Sequence, residues 1–287
     1  MSEPRHAPPS PGLRGFLRET HRARAGYPYP CDLRTRVERV TVAALALMFP
    51  HFAGDVHGDE FDIEREYRAV EGSLALLIEP FGEETAVACA RAAERFLEAL
   101  PRLRDALLLD AQAMDAGDPA AESLDEVILA YPGFYAVAVY RMAHELQRAG
   151  VRVLPRLFTE HAHGRTGIDI HPAARIGERF CIDHGTGIVI GATTDIGADV
   201  KLYQGVTLGA LSVSKNLAGA KRHPTLEDEV IVYSNATILG GSTVIGRGSV
   251  IGGNVWLTES VPPNALVTRK SDVRVRTAEE AGIEYHI

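Results

Sequence analysis

From about Thr166 onward the chain repeats every six residues. Ile170, Ile176, Ile182 and Ile188 keep that step, and after a two-residue slip Ile190, Ile196, Leu202 and Leu208 resume it. Leu226, Val232, Ile238, Val244, Val250 and Trp256 then carry it on without a break. A period of six fits neither the 3.6 residues of a helical turn nor the two of an alternating strand. It fits short strands joined by turns, each repeat making one side of a three-sided coil and turning one apolar residue inward. The spacing predicts a left-handed parallel β-helix over 166–268. Gly177, Gly197, Gly246 and Gly252 are expected where tight turns need permissive dihedrals. Ser234, Gly240, Gly246 and Gly252, also six apart, are expected to lay a smooth stripe of small residues along one face.

The preceding residues carry a different rhythm. EREYRAVEGSLALLIEP and EETAVACARAAERFLEAL place apolar residues three and four apart, with Pro80 and Pro101 at their ends. Ser123 to Glu126 reads SLDE, a capping box, and PGFYAVAVYRMAHELQRAG closes on Gly150 in a C′ position. An α-helical domain is expected over 31–165, giving an α+β chain overall. The Pro-rich start has no apolar h-region of a secretory signal, so 1–30 is read as a disordered tail and 269–287 as a C-terminal tail.

Composition narrows the function. Among 287 residues the formal net charge is −8, the wrong sign for nonspecific binding to nucleic acid. The longest apolar run, Val42 to Phe49, is too short to span a bilayer. Cys31, Cys89 and Cys181 have no framework spacing, which points to a reducing, cytoplasmic setting. Cys181 could be a reactive thiol or a small apolar strand residue; the second reading is the simpler.

Within the repeat the unusual polar residues are Asp169, His171, Asp183, His184, Arg222 and His223. The last two end an inserted loop, 210–224, that interrupts the coil; loops of that length are often functional. Asp169 and His184, about one coil apart, are expected to stack as neighbours. A carboxylate beside a histidine fixes its tautomer and stabilises the imidazolium formed when it takes a proton, which suits a general base acting on a hydroxyl. Three histidines on neighbouring turns also permit zinc and a hydratase. The acidic neighbours fit that less well, and no metal is expected.

In this order, TGIDIHPAARIG, IDHGTGIVIG, YQGVTLGA and KRHP resemble the serine O-acetyltransferase family, over about Tyr131 to Pro263. TLGA stands where the family more often has TLGG. The resemblance implies direct acetyl transfer from acetyl-CoA to the hydroxyl of L-serine, as a step of cysteine biosynthesis. It makes His184 the general base and Asp169 its orienting carboxylate. Asp183, with Asp118 of an Asp-Pro pair ahead of the capped helix, would hold the serine ammonium. Arg222 would clamp the carboxylate, with His223 assisting. Gly209, Ala210, Ser234 and Gly252 match positions that line the acetyl-CoA groove between two coils of a homotrimer. A dimer of trimers stays open, as does a sugar or other small hydroxylated acceptor. The terminal GIEYHI, ending in Ile287, matches tails that dock on O-acetylserine sulfhydrylase.

Overall fold

The computed structural model describes residues 10–54, 59–81, 86–211 and 220–270. Among them, helices come first and strands second. The helices are α1 (Pro11–Ala25), α2 (Leu33–Met48), α3 (Glu60–Ile78), α4 (Ala86–Glu98), α5 (Leu100–Gly117), α6 (Leu124–Ala130), α7 (Pro132–Arg148) and α8 (Leu154–Thr166). Ser123 caps α6 by accepting from the Glu126 amide, and Gly150 follows α7 at φ +83°, as expected; the other half of the expected capping box does not form, because the Glu126 carboxylate accepts instead from the Glu122 amide at 2.7 Å. Pro101 opens α5 rather than only closing α4, because a proline at the second helical position loses no intrahelical bond. The segment expected as tail contains α1, whose N-cap Ser10 accepts from Leu13 and whose second signal is Pro11 at the first turn. It buries none of its residues.

The strands are β1 (Asp169–Ile170), β2 (Arg175–Ile176), β3 (Cys181–Asp183), β4 (Val189–Ile190), β5 (Asp195–Ile196), β6 (Lys201–Tyr203), β7 (Thr207–Gly209), β8 (Thr225–Leu226), β9 (Ile231–Val232), β10 (Thr237–Leu239), β11 (Val244–Ile245), β12 (Val250–Ile251), β13 (Trp256–Leu257) and β14 (Leu266–Val267). They stack as three parallel sheets: β1-β4-β7-β10-β13, β2-β5-β8-β11 and β3-β6-β9-β12-β14. The chain visits the three sheets in rotation, so the sheets form the sides of a parallel β-helix. Each side turns two residues inward, two positions apart. On the first sheet these are Ile168 and Ile170, Ile188 and Ile190, Val206 and Leu208, Ala236 and Ile238, all buried.

That pairing explains the slip in the sequence period and corrects its continuation. The step of eight from Ile182 to Ile190 holds one corner two residues longer than usual, Asp183 to Gly187. The later series does break. Gly240 and Gly241 add a residue after Ile238, so Ile245 and Ile251 point inward instead of Val244 and Val250. Trp256 stands 68% exposed.

The turn glycines serve a different purpose from the one expected. Gly177, Gly197, Gly246 and Gly252 do not have positive φ. Three of them are glycine because the next coil passes too close for a side chain: a Cβ on Gly177 would meet Gly197 O at 2.6 Å, and Gly197 and Gly246 are equally crowded. Positive φ is instead found at corner residues such as Arg179, His184, Asp199, Asn235 and Asn254. The small-residue stripe is overturned as well. One side takes about six residues, so Ser234, Gly240, Gly246 and Gly252 fall on successive corners; only Ser234 and Gly252 share one.

The helices cap the first coil through a buried ion pair. Arg141 on α7 grips both carboxylate oxygens of Asp110 on α5, at 2.6 and 2.7 Å, and donates to Gly177 O at 2.7 Å. The Phe180 amide donates to Asp110 Oδ1 at 2.9 Å, and the Tyr140 hydroxyl to Ala174 O at 2.6 Å. Gly133 of α7 lies against Ile182 O with no room for a Cβ. This docking brings the C-terminus of α5 beside β3 and its long corner.

Candidate active site

The long corner projects His184. Its backbone is left-handed (φ +57°), and its side chain is 75% exposed. Asp183, the last residue of β3, faces outward beside it, with Oδ1 3.7 Å from His184 Nε2. The helical domain delivers Asp118 to the same place. Asp118 closes α5, accepts the Tyr131 hydroxyl at 2.6 Å and the Ala120 amide at 2.8 Å, and these bonds hold its carboxyl below the usual range. The bond to Asp118 pushes the Tyr131 phenol up to about 12. Lys201 on β6 completes the cluster, with Nζ 2.8 Å from Asp183 Oδ2 and 2.7 Å from Gly117 O.

Neither Lys201 nor Tyr131 was pointed to by the sequence. Lys201 is twenty residues after Cys181 and pairs with it across the coil, which sets it diagonal to Asp183. Only the coil length, not the six-residue step, reveals that neighbour. Tyr131 carried no signal.

A second cluster occupies the other edge of the first sheet. His171 and Arg222–His223 gather at the corner that follows β1 and β4. His223, 8% exposed, lies over Gly191, where any Cβ would strike its ring. The Thr193 amide donates to His223 Nδ1 at 3.1 Å, so the neutral ring carries its proton on Nε2. Burial, with the Arg222 charge next, pushes this imidazole down to about 4. Burial and Arg156 lower His171 in the same sense.

Asp169 does not stack on His184. The coil is twenty residues here, so Asp169 pairs with Val189. Its carboxylate lies 3.3 Å from Arg156 of α8, which also pairs with Glu160. Glu160, His163 and Asp169 bring donor atoms within 4.8 Å of one another, with that guanidinium among them. His184 lies on a different corner from His171 and His223, so the repeat's three imidazoles do not converge within one chain. Cys181 is inert: burial pushes its thiol up to about 12.

The four small positions divide along the same lines. Gly209 ends β7 and leads with Ala210 into the corner that holds His223. Ser234 and Gly252 lie in the corners that follow β9 and β12 of the third sheet, on the His184 side, where the Asn254 amide donates to Ser234 O at 2.9 Å. Ile287 and most of the inserted loop lie outside the described residues. No helix among the described residues is long and apolar enough to cross a membrane.

A parallel β-helix of hexapeptide repeats, with an exposed histidine flanked by carboxylates on a corner, is the plan of a hexapeptide-type acyltransferase. No family model matches the chain. It is 39% identical over 280 residues to a plasmid-borne serine acetyltransferase of Synechococcus elongatus, covering 88% of this chain and 86% of that one. Its fold matches serine acetyltransferase isoform 3 of Entamoeba histolytica, solved with cysteine, at a TM-score of 0.76 and 31% identity over 85% of each chain. The Neisseria gonorrhoeae serine acetyltransferase, solved with serine, matches at a TM-score of 0.57 and 26% identity over 84% of this chain and 96% of that one. The chain belongs to the serine acetyltransferase family, and its activity is acetyl transfer.

Proposed function

We propose that the protein transfers acetyl directly from acetyl-CoA to the hydroxyl of L-serine, with His184 as general base. The observation that carries this reading is the meeting of Asp118 and Asp183, from two different domains, beside the exposed His184 imidazole. Two carboxylates next to a base suit an acceptor with an ammonium group close to its hydroxyl. A sugar acceptor would have no use for them. His184 takes the hydroxyl proton as the oxygen attacks the thioester carbon. The tetrahedral intermediate then expels the CoA thiolate, which recovers that proton from the imidazolium. Asp169 keeps the orienting role toward His184 that the resemblance implies, but its carboxylate is held 3.3 Å from Arg156, so the role requires it to turn toward His184 when acceptor and co-substrate bind.

The serine carboxylate needs a guanidinium fork, and Arg222 is at the opposite edge of the first sheet. The site is therefore completed by a second copy. The His184 edge of one chain, with Ser234 and Gly252, faces the Arg222–His223 edge of the next, with Gly209 and Ala210. Repeated around a threefold axis, this gives a homotrimer with three such grooves, each taking the acetyl-CoA arm. The solved relatives with serine and with cysteine support an amino-acid ligand for this groove.

The test is thiol release from acetyl-CoA by the purified protein with L-serine, with homoserine and sugars, and without acceptor. Release that requires L-serine and disappears in His184→Ala is expected. Release with a sugar alone would retain the base and discard the acceptor.

A further inference from the structure

Lys201 sits at the centre of the amine pocket, yet no step of the transfer uses it. Its Nζ lies 2.8 Å from Asp183 Oδ2, 2.7 Å from the carbonyl of Gly117 and 4.5 Å from the centre of the Tyr203 ring. A carboxylate, a carbonyl and an aromatic face together enclose an ammonium. The side chain is only 14% exposed. Burial works against its charge, but the bonds to Asp183 and Tyr203 outweigh that and raise it above the ordinary lysine range.

Two of these contacts belong to different domains. Gly117 is the last residue of α5, so the ammonium caps the carbonyl end of that helix, where a cation is favoured. The residue after it is Asp118. Asp183 belongs to β3. Lys201 is thus a strut between the Asp183 carboxylate and the helix end that carries Asp118. It occupies Oδ2 of Asp183 and leaves Oδ1 turned toward His184. Its charge also matters. Asp118 and Asp183 without Lys201 would be two anions beside one base, and with it the three groups carry one net negative charge, the complement of one ammonium group.

We propose that Lys201 is the positioning residue of the amine pocket, fixing Asp118 and Asp183 so that they receive a single ammonium. This rests on the reading of those two aspartates as the amine-binding pair.

The experiment compares full-length wild type with Lys201→Met, Lys201→Gln and Lys201→Arg. It measures kcat and KM for both substrates, and the inhibition constant of L-glycerate, which is serine with a hydroxyl in place of the amine. In Lys201→Met the KM for serine should rise by about tenfold or more, the loss that follows when a charge-assisted hydrogen bond is misaimed. The KM for acetyl-CoA and the L-glycerate constant should stay unchanged, and Lys201→Arg should recover most of the serine affinity. An unchanged or lowered serine KM would overturn the proposal, since Lys201 would then be only a competitor for Asp183. Equal losses for serine and glycerate would also overturn it, by reducing Lys201 to a structural brace. If the Met variant does not fold, Lys201→Gln, which keeps a donor without the charge, gives the same comparison. Failure of the underlying reading is seen separately: Asp118→Asn and Asp183→Asn would leave the wild-type serine KM unmoved.

Discussion

His184 owes its exposure to the backbone. A left-handed residue in a corner two residues longer than its neighbours points its side chain away from the stacked coils. Replacing it removes the base without removing any core contact, so His184→Ala should lower kcat by about 10²–10⁴-fold and leave the melting temperature nearly unchanged. Steady-state kinetics and a thermal melt check both halves. His223 behaves in the opposite manner, buried and neutral. Burial, with the Arg222 charge next, holds its imidazole down at about 4, below the ordinary histidine value of about 6.5. Between those values the unfolded chain binds a proton that the folded chain does not, so this group's stability contribution is full above about 6.5 and is lost as pH falls toward 4. Denaturant melts across that window should show the loss in the wild type and a smaller one in His223→Gln.

At the scale of elements, the first coil is held by α5 and α7 through Asp110 and Arg141. The Asp110 side chain is fully buried and accepts from Arg141 and from the Phe180 amide. Asp110→Ala would leave a buried guanidinium unpaired and an amide without its acceptor. The expected cost is about 3–5 kcal/mol, read as a fall in denaturation midpoint. Because the same interface sets Asp118 beside Asp183, the serine KM should rise at temperatures where the variant is still folded. Asp118→Asn should raise that KM with no comparable loss of stability, since its partners are only the Tyr131 hydroxyl and the local Ala120 amide.

For the whole molecule, the separation of the two edges is the governing fact. His184 precedes β4 and the His223 pocket follows it, so one chain presents them at opposite ends of a strand. If two copies build each site, inactive His184→Ala and Arg222→Ala chains should complement each other. Mixed before assembly, they should regain a fraction of wild-type activity set by the share of interfaces that pair two intact edges. Strictly additive, near-zero activity in the mixture would show that each chain works alone.

What the sequence determined by itself was local and periodic. Six-residue spacing is enforced by the stacking of coils, so it predicts the β-helix and shows the two-residue slip before Ile190, though only the folded coil shows that the slip belongs to the corner Asp183–Gly187 that carries His184. The cap at Ser123 and the C′ glycine Gly150 were legible for the same reason: each depends on residues within one turn. The tertiary structure alone decided which residues six apart share a face, because that depends on coil lengths that vary from the sixteen residues between Val250 and Leu266 to the thirty between Thr207 and Thr237, set by every corner together. It also decided that Asp169 pairs across to Val189 and Arg156, and that Lys201 braces Asp183 against the end of α5. Such contacts join segments as many as 84 residues apart, and no local pattern encodes them, because their geometry exists only once the helices have docked on the coil.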